Sequence, residues 1–176
     1  MDKLLITQDD LKEVRPAAEF DEVRIEPFIR EAQRTNVRPV LNDALYLELI
    51  DRFDDPDVQY NKYRDLIQGK RYTKDGYTIL FDGLKWMLSY YVLVLLVTDN
   101  PLNFVRFGVV KKIVNQSEPL TPQEMTLAIN SLKSTALIYQ NNLIRFLEDN
   151  SDDYPLYNYK KSSQSAVKTS FSFGKL

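Results

Sequence analysis

One long amphipathic stretch governs what this chain can become. The tetrapeptide Thr121-Pro122-Gln123-Glu124 is a capping box with proline at the first helical position, a specific signal for a helix start. Met125, Ile129, Leu132, Ala136, Tyr139, Leu143 and Phe146 then recur at steps of three or four up to residue 150. At about 1.5 Å per residue this makes a helix roughly 40 Å long, with one apolar stripe that has to be covered.

The rest of the chain reads as further helices with a small β insertion. Thr7 can cap a short helix over residues 8–14, where Asp9 and Asp10 suit the positive end of the helix dipole, and Pro16 stops it. A second helix is predicted over residues 21–36 on Val23, Phe28, Ile29 and Ala32, with Pro27 requiring a late start or a kink. A third spans residues 39–53 with Leu41, Leu45, Leu49 and Phe53 inward. A fourth, short one carries Tyr60, Tyr63, Leu66 and Ile67 and ends at Gly69. In "KRYTKDGYTILF", residues 70–81, the Asp75-Gly76 pair lies between β-prone runs and predicts a hairpin with a two-residue type I′ turn.

The most apolar run, "WMLSYYVLVLLV" from Trp86 to Val97, is bracketed by Lys85 and Asp99. It is too short for a bilayer, which needs about twenty apolar residues, and reads as a buried helix over residues 82–98. "FVRFGVVKKIVN", residues 104–115, reads as a strand, and "SDDYPLYNYKKSSQS", residues 151–165, as a linker. The expected fold is therefore mainly α: a bundle of four to five helices with a small inserted β-hairpin and strand element and an extended C-terminal arm. The helical domain is expected over residues 1–153, with β insertions near 70–81 and 104–115, and the linker and arm over 154–176.

Composition narrows the chemistry. With 176 residues, 44% of them hydrophobic, the chain can bury one good core without metal or disulfide. It contains neither cysteine nor histidine, which removes thiolate nucleophiles, Cys/His zinc sites and imidazole proton transfer. Five isolated glycines cannot write a Walker loop or a dinucleotide fingerprint. An enzyme is not expected, nor a cofactor. "MDKLLITQDD" lacks an apolar core of signal-peptide length, so the protein is expected to stay in the cytosol where it is made.

Charge is divided along the chain. Residues 1–60 hold 15 acidic against 8 basic side chains, whereas residues 61–176 hold 10 against 15, so the two parts differ in sign. No acidic residue follows Asp153, and Lys160, Lys161, Lys168 and Lys175 make the end a basic arm. Within it Val167, Thr169, Phe171 and Phe173 alternate with Lys168, Ser170 and Ser172, the period of a half-buried strand. Such an arm can be disordered, dock on its own chain, or add to a sheet edge of another subunit.

Other signals have plainer readings beside them. Asp51, Asp54, Asp55 and Asp57 lack EF-hand spacing and read as a solvated loop rather than a calcium site. Glu19, Asp21, Glu22 and Glu26 read as an exposed first turn rather than a hydrolytic carboxylate pair. Trp86, Tyr90 and Tyr91 could stack on bases, but Trp86 and Tyr90 sit i, i+4 on the most apolar helix, which favours core packing. Lys111 and Lys112 could touch phosphates or guard a strand edge.

Four stretches carry a resemblance: "RIEPFIREAQRTNVRPVLNDALYLELI", "FDGLKWMLSYYVLV", "NPLNFVRFGVVKKIVNQSEPLT" and "LIYQNNLIRFLEDNSDDYPLY". Over residues 1–157 the chain resembles the small head-to-tail connector proteins of tailed bacteriophages, in particular those of crAss-like phages and related prophages of Bacteroidetes. The resemblance implies a virion structural protein, assembled in the host cytoplasm into a ring of its own copies, usually a dodecamer, at the head–tail junction. Its implied neighbours are the portal protein and other tail or ring proteins. DNA passes transiently through the channel, and no membrane is involved. It also implies a projecting β element, here Arg71, Tyr72 and Tyr77 in the hairpin and Lys111 and Lys112 in the later strand, as partner-binding positions.

Two expectations follow. Val167, Phe171 and Phe173 dock on an adjacent subunit or ring protein, with Lys160, Lys161 and Lys168 facing acidic surface. The acidic N-terminal third, including Asp9, Asp10, Glu19 and Glu22, faces the channel, because a channel that lets DNA slide should avoid phosphate contacts. The alternatives are a nucleic-acid-binding helical module, which salt-dependent DNA affinity would reveal, and a carboxylate-based hydrolase.

Overall fold

The computed structural model describes residues 3–14, 22–99, 111–113, 116–118 and 121–157. The architecture is mainly helical with small antiparallel β elements. In chain order the elements are α1 (Gln8–Val14), α2 (Glu22–Ala32), a π turn (Gln33–Val37), α3 (Arg38–Leu41), α4 (Asp43–Arg52) and α5 (Asn61–Gln68). There follow β1 (Lys70–Lys74), β2 (Tyr77–Phe81), α6 (Leu84–Asp99), β3 (Lys111–Ile113), β4 (Gln116–Glu118) and α7 (Pro122–Asp149).

The most apolar helix is the central one. α6 packs most extensively against α7 and also meets α1, α2, α5 and the π turn, so it needs apolar side chains on nearly every side. Leu84, Met87, Leu88 and Val92 are fully buried. Among the described residues no helix is long and apolar enough to cross a membrane. The capping box of α7 is formed as expected: Thr121 Oγ1 accepts from the Glu124 N–H at 3.2 Å, and Glu124 Oε2 accepts from the Thr121 N–H at 2.9 Å.

Two expected helices are organised differently. The second does not start late: Pro27 lies within α2, and the chain passes Pro39 by widening the preceding turn, where the Arg38 N–H donates to Gln33 O. That π turn buries the Gln33 side chain, which accepts from the Leu5 N–H at 2.8 Å and donates to Lys3 O at 3.1 Å, pinning the N-terminal segment. The third helix is not continuous. Asn42, at φ 65°, breaks it and caps α4 by accepting from the Leu45 N–H at 3.1 Å. At ψ 167° this backbone lies outside the left-handed helical region and is strained; the cap to α4 and the hydrogen bond that Asn42 donates to Leu156 O at 3.0 Å hold it there.

The boundary expected after Asp153 falls inside packed structure. Tyr154 is 1% exposed and Tyr157 is buried, so the body extends at least to residue 157. The reason is aromatic: the Tyr154 ring meets Phe146 edge-on at 5.7 Å, and its hydroxyl donates to Lys62 O at 2.8 Å. Over residues 151–157 the serine, proline and tyrosine that read as linker composition are a turn folded back over α5 and α7, and residues 158–165 of that stretch lie outside the described residues. The strand expected over residues 104–115 is described only at its end, where β3 pairs antiparallel with β4, a partner absent from the sequence reading.

Candidate assembly surface

The hairpin grows out of a tight glycine crossing. Gly69, at φ 91°, ends α5, and Gly83, at φ 100°, precedes α6; a Cβ on Gly69 would come within 2.4 Å of Phe81 O, and one on Gly83 within 2.4 Å of Ile67 O. Only glycine lets these two backbone segments touch. Between them β1 and β2 pair in register from Lys70↔Phe81 to Lys74↔Tyr77, and Asp75 and Gly76 both take positive φ, the type I′ geometry expected.

Strand alternation then sorts the candidate residues. Tyr72 and Phe81 fall on the inner face: Phe81 stacks on Phe146 with ring centroids 4.1 Å apart, and Tyr72 meets the same ring edge-on at 5.2 Å. Tyr72, expected among the partner-binding residues, is thus a core residue with its ring covered. Its hydroxyl donates to Asp149 Oδ2 at 2.8 Å. Burial, reinforced by that hydrogen bond and the negative charge of Asp149, pushes its pKa up to about 12. Arg71 stands on the outer face and is exposed. Leu80, its cross-strand partner, is 64% exposed, and Tyr77 at the overhanging tip 75%.

Further exposed apolar side chains lie on α7. Leu127, Leu137 and Ile138 are at least half exposed. Ile138 follows buried Ala136 by two residues, about 200° round the helix, so it and Leu127 lie opposite the seam that covers α6. This face was legible as apolar residues out of phase with the core series, and the sequence reading passed over it. Beside it α2, α6 and α7 enclose an open groove of about 520 Å³.

The remaining candidates divide. Trp86 and Tyr90 stack on Tyr139 at 5.8 and 5.6 Å, and Tyr91 donates to Gln140 Oε1 at 2.8 Å, so these rings are engaged within the chain rather than laid out for bases. Burial raises the pKa of Tyr91, and of Tyr139 with help from neighbouring Tyr90 and Asp82. Lys111 and Lys112 lie on β3, in register with Glu118 and Ser117. Lys160, Lys161, Val167, Lys168, Phe171 and Phe173 lie outside the described residues.

The acidic side chains have local work. Asp10 is half-buried, accepting from the Thr7 N–H at 2.8 Å and lying 3.9 Å from Lys85 Nζ. Asp9 is exposed and pairs with Lys12 at 3.3 Å. Asp54 is held below its usual carboxylate pKa by the hydrogen bond from Lys3, Asp55 bonds Arg52, and Asp57 caps the next turn at Gln59. Among the described residues no group of three or more Asp or Glu side chains could hold a metal ion.

A family model described as DUF6712, a family of unknown function, matches residues 37–167, which include the hairpin, α6 and α7. No curated protein matches the chain, and no solved structure does.

Proposed function

Taking as premise that the chain belongs to the DUF6712 family, whose function is unknown, we propose that it is a structural subunit that assembles head to tail into the connector ring of a tailed bacteriophage. The ring sits between portal and tail, a dodecamer in the resemblance, and passes DNA through its channel. What supports this reading is exposed apolar side chains at two unlike places on one subunit: Tyr77 at the hairpin tip with Leu80 on the hairpin's outer face, and Leu127 and Ile138 on the outer face of α7. Two different surfaces are what a heterologous contact requires, and such contacts close into a ring when the rotation divides a full turn.

The resemblance supports the same reading, and a rigid hairpin bolted to α7 through Phe146 is a suitable projecting element. The arm ending in Val167, Phe171 and Phe173 would add a second tether to a neighbour. Its deletion, residues 162–176, should weaken ring assembly measured by native mass.

The decisive experiment is electron microscopy with native mass of the full chain, alone and with its portal protein. Closed rings of a fixed copy number are expected. A subunit that stays solitary in both preparations removes the proposal, and tight, steeply salt-dependent DNA binding by that solitary subunit would put a nucleic-acid module in its place.

A further inference from the structure

Two surface features find no partner within the described residues. The first is the groove. Tyr91, Val94 and Leu95 of α6 line its floor, Glu31 of α2 forms one wall, and Lys133 and Leu137 of α7 form the other. The second is the hairpin tip, where Tyr77 is 75% exposed and Lys74 and Asp75 flank the turn. Glu31, Lys133, Lys74 and Asp75 make no side-chain hydrogen bond or ion pair among the described residues.

We propose that the hairpin tip of one copy of this chain seats in the α6–α7 groove of the next. The Tyr77 ring covers Val94 and Leu95, Lys74 meets Glu31, and Asp75 meets Lys133. Two observations select a second copy as the occupant. The groove, at about 520 Å³, lies within the range of about 300–1,000 Å³ that takes a compact, largely apolar guest. Its walls carry one unpaired acid and one unpaired base, and adjacent tip residues carry the opposite pair. That two-sign match fixes orientation as well as attraction.

The chain's own tip does not fill its own groove, since Tyr77 stands exposed while the Phe81–Phe146 stack holds the hairpin base. Phe146 lies nine residues beyond Leu137 on α7, about 14 Å along the helix. Tip and groove are therefore separate sites on one subunit, donor and acceptor for different neighbours. This inference rests on the self-assembly part of the proposed function and not on its DNA channel.

The absence of cysteine from the sequence makes the test clean. Full-length D75C and K133C variants are oxidised singly, as a mixture, and as the double variant, then run on non-reducing gels. The mixture is expected to give a cross-linked dimer well above either single variant, and the double variant a ladder beyond dimer. A double variant that stops at dimer keeps the tip–groove contact, now reciprocal, and removes the ring. No cross-link in the mixture, under conditions where native mass shows the wild type assembled, overturns the contact and leaves the ring reading standing.

Sedimentation supplies an independent arm. Y77S should weaken self-association by at least about tenfold, as loss of an aromatic anchor does. K74E and E31K should each weaken it by about two- to fivefold, the scale of exposed ion pairs, with most of the loss recovered in the double exchange. Wild-type protein that remains monomeric at every concentration, or a double exchange no better than the singles, overturns the proposal.

Discussion

The two ends of α7 continue one apolar seam and meet opposite fates. Toward its C-terminus Leu143, Phe146 and Leu147 are fully covered, because the hairpin brings Tyr72 and Phe81 down on one side and the turn at residues 150–157 brings Tyr154 down on another. Toward its N-terminus no residue from 122 to 130 is buried among the described residues: Met125 and Ile129 of the seam are only partly covered by the core, and Leu127, on the opposite face, is 69% exposed. The same periodicity thus marks a fully covered core at one end and a seam that is only partly covered at the other. A stripe says that a helix face needs cover; chain topology decides whether the same molecule supplies it.

The largest expected break in this contrast is Phe146→Ala. It removes the ring that joins hairpin, α7 and the Tyr154 turn, and should cost about 3–5 kcal/mol in urea or thermal unfolding. Gly69→Ala comes next, at about 2–4 kcal/mol. The new Cβ meets backbone at a φ that glycine alone adopts readily, and hydrogen exchange should show hairpin amides losing protection first. A full cost at Phe146 with none at Gly69 would show that the hairpin is not part of the cooperative unit.

Tyr72→Phe should lose about 1.5–3 kcal/mol, the scale of a hydrogen bond to a charged acceptor. Its pH dependence sharpens the point. The folded-state pKa is raised, to about 12, so this contribution is fully present below the ordinary tyrosine value and is lost as pH rises through the folded one. Wild type and Tyr72→Phe should converge in unfolding midpoint between mild and strong alkali.

At the other end Thr121→Ala should cost about 1 kcal/mol through the lost cap. Leu127→Ser should change monomer stability by no more than about 0.5 kcal/mol, because the side chain is already in water. A large loss at Leu127 in unfolding experiments would mean that the outer face of α7 is covered within the chain after all.

Much of the helical skeleton was legible in residues alone. The capping box at Thr121, the glycine end of α5 and the Asp75-Gly76 turn are local signals whose energetics depend on neighbours within a few positions, and each appears where expected. Where the reading failed, the cause was distant. Asn42 breaks a run of leucines that looks continuous because its side chain can both cap α4 and reach Leu156, 114 residues away in sequence. Tyr72 alternates like any strand residue, and nothing in "KRYTK" says which face will meet Phe146. Tyr154 looked like linker because proline and serine surround it, and its pocket is built by α5 and α7.

For the candidate surface the division is similar. Tyr77 and Leu80 were visible as apolar letters in a hairpin, whereas the groove has no sequence signature, since its walls come from three helices brought together only by folding. What the sequence by itself determined was where elements start, stop and turn, because caps, prolines and glycines act through backbone geometry over a few residues. Only the tertiary structure decided which apolar face is core and which is left for a neighbour, because burial is a property of packed elements and no local pattern records who packs against whom.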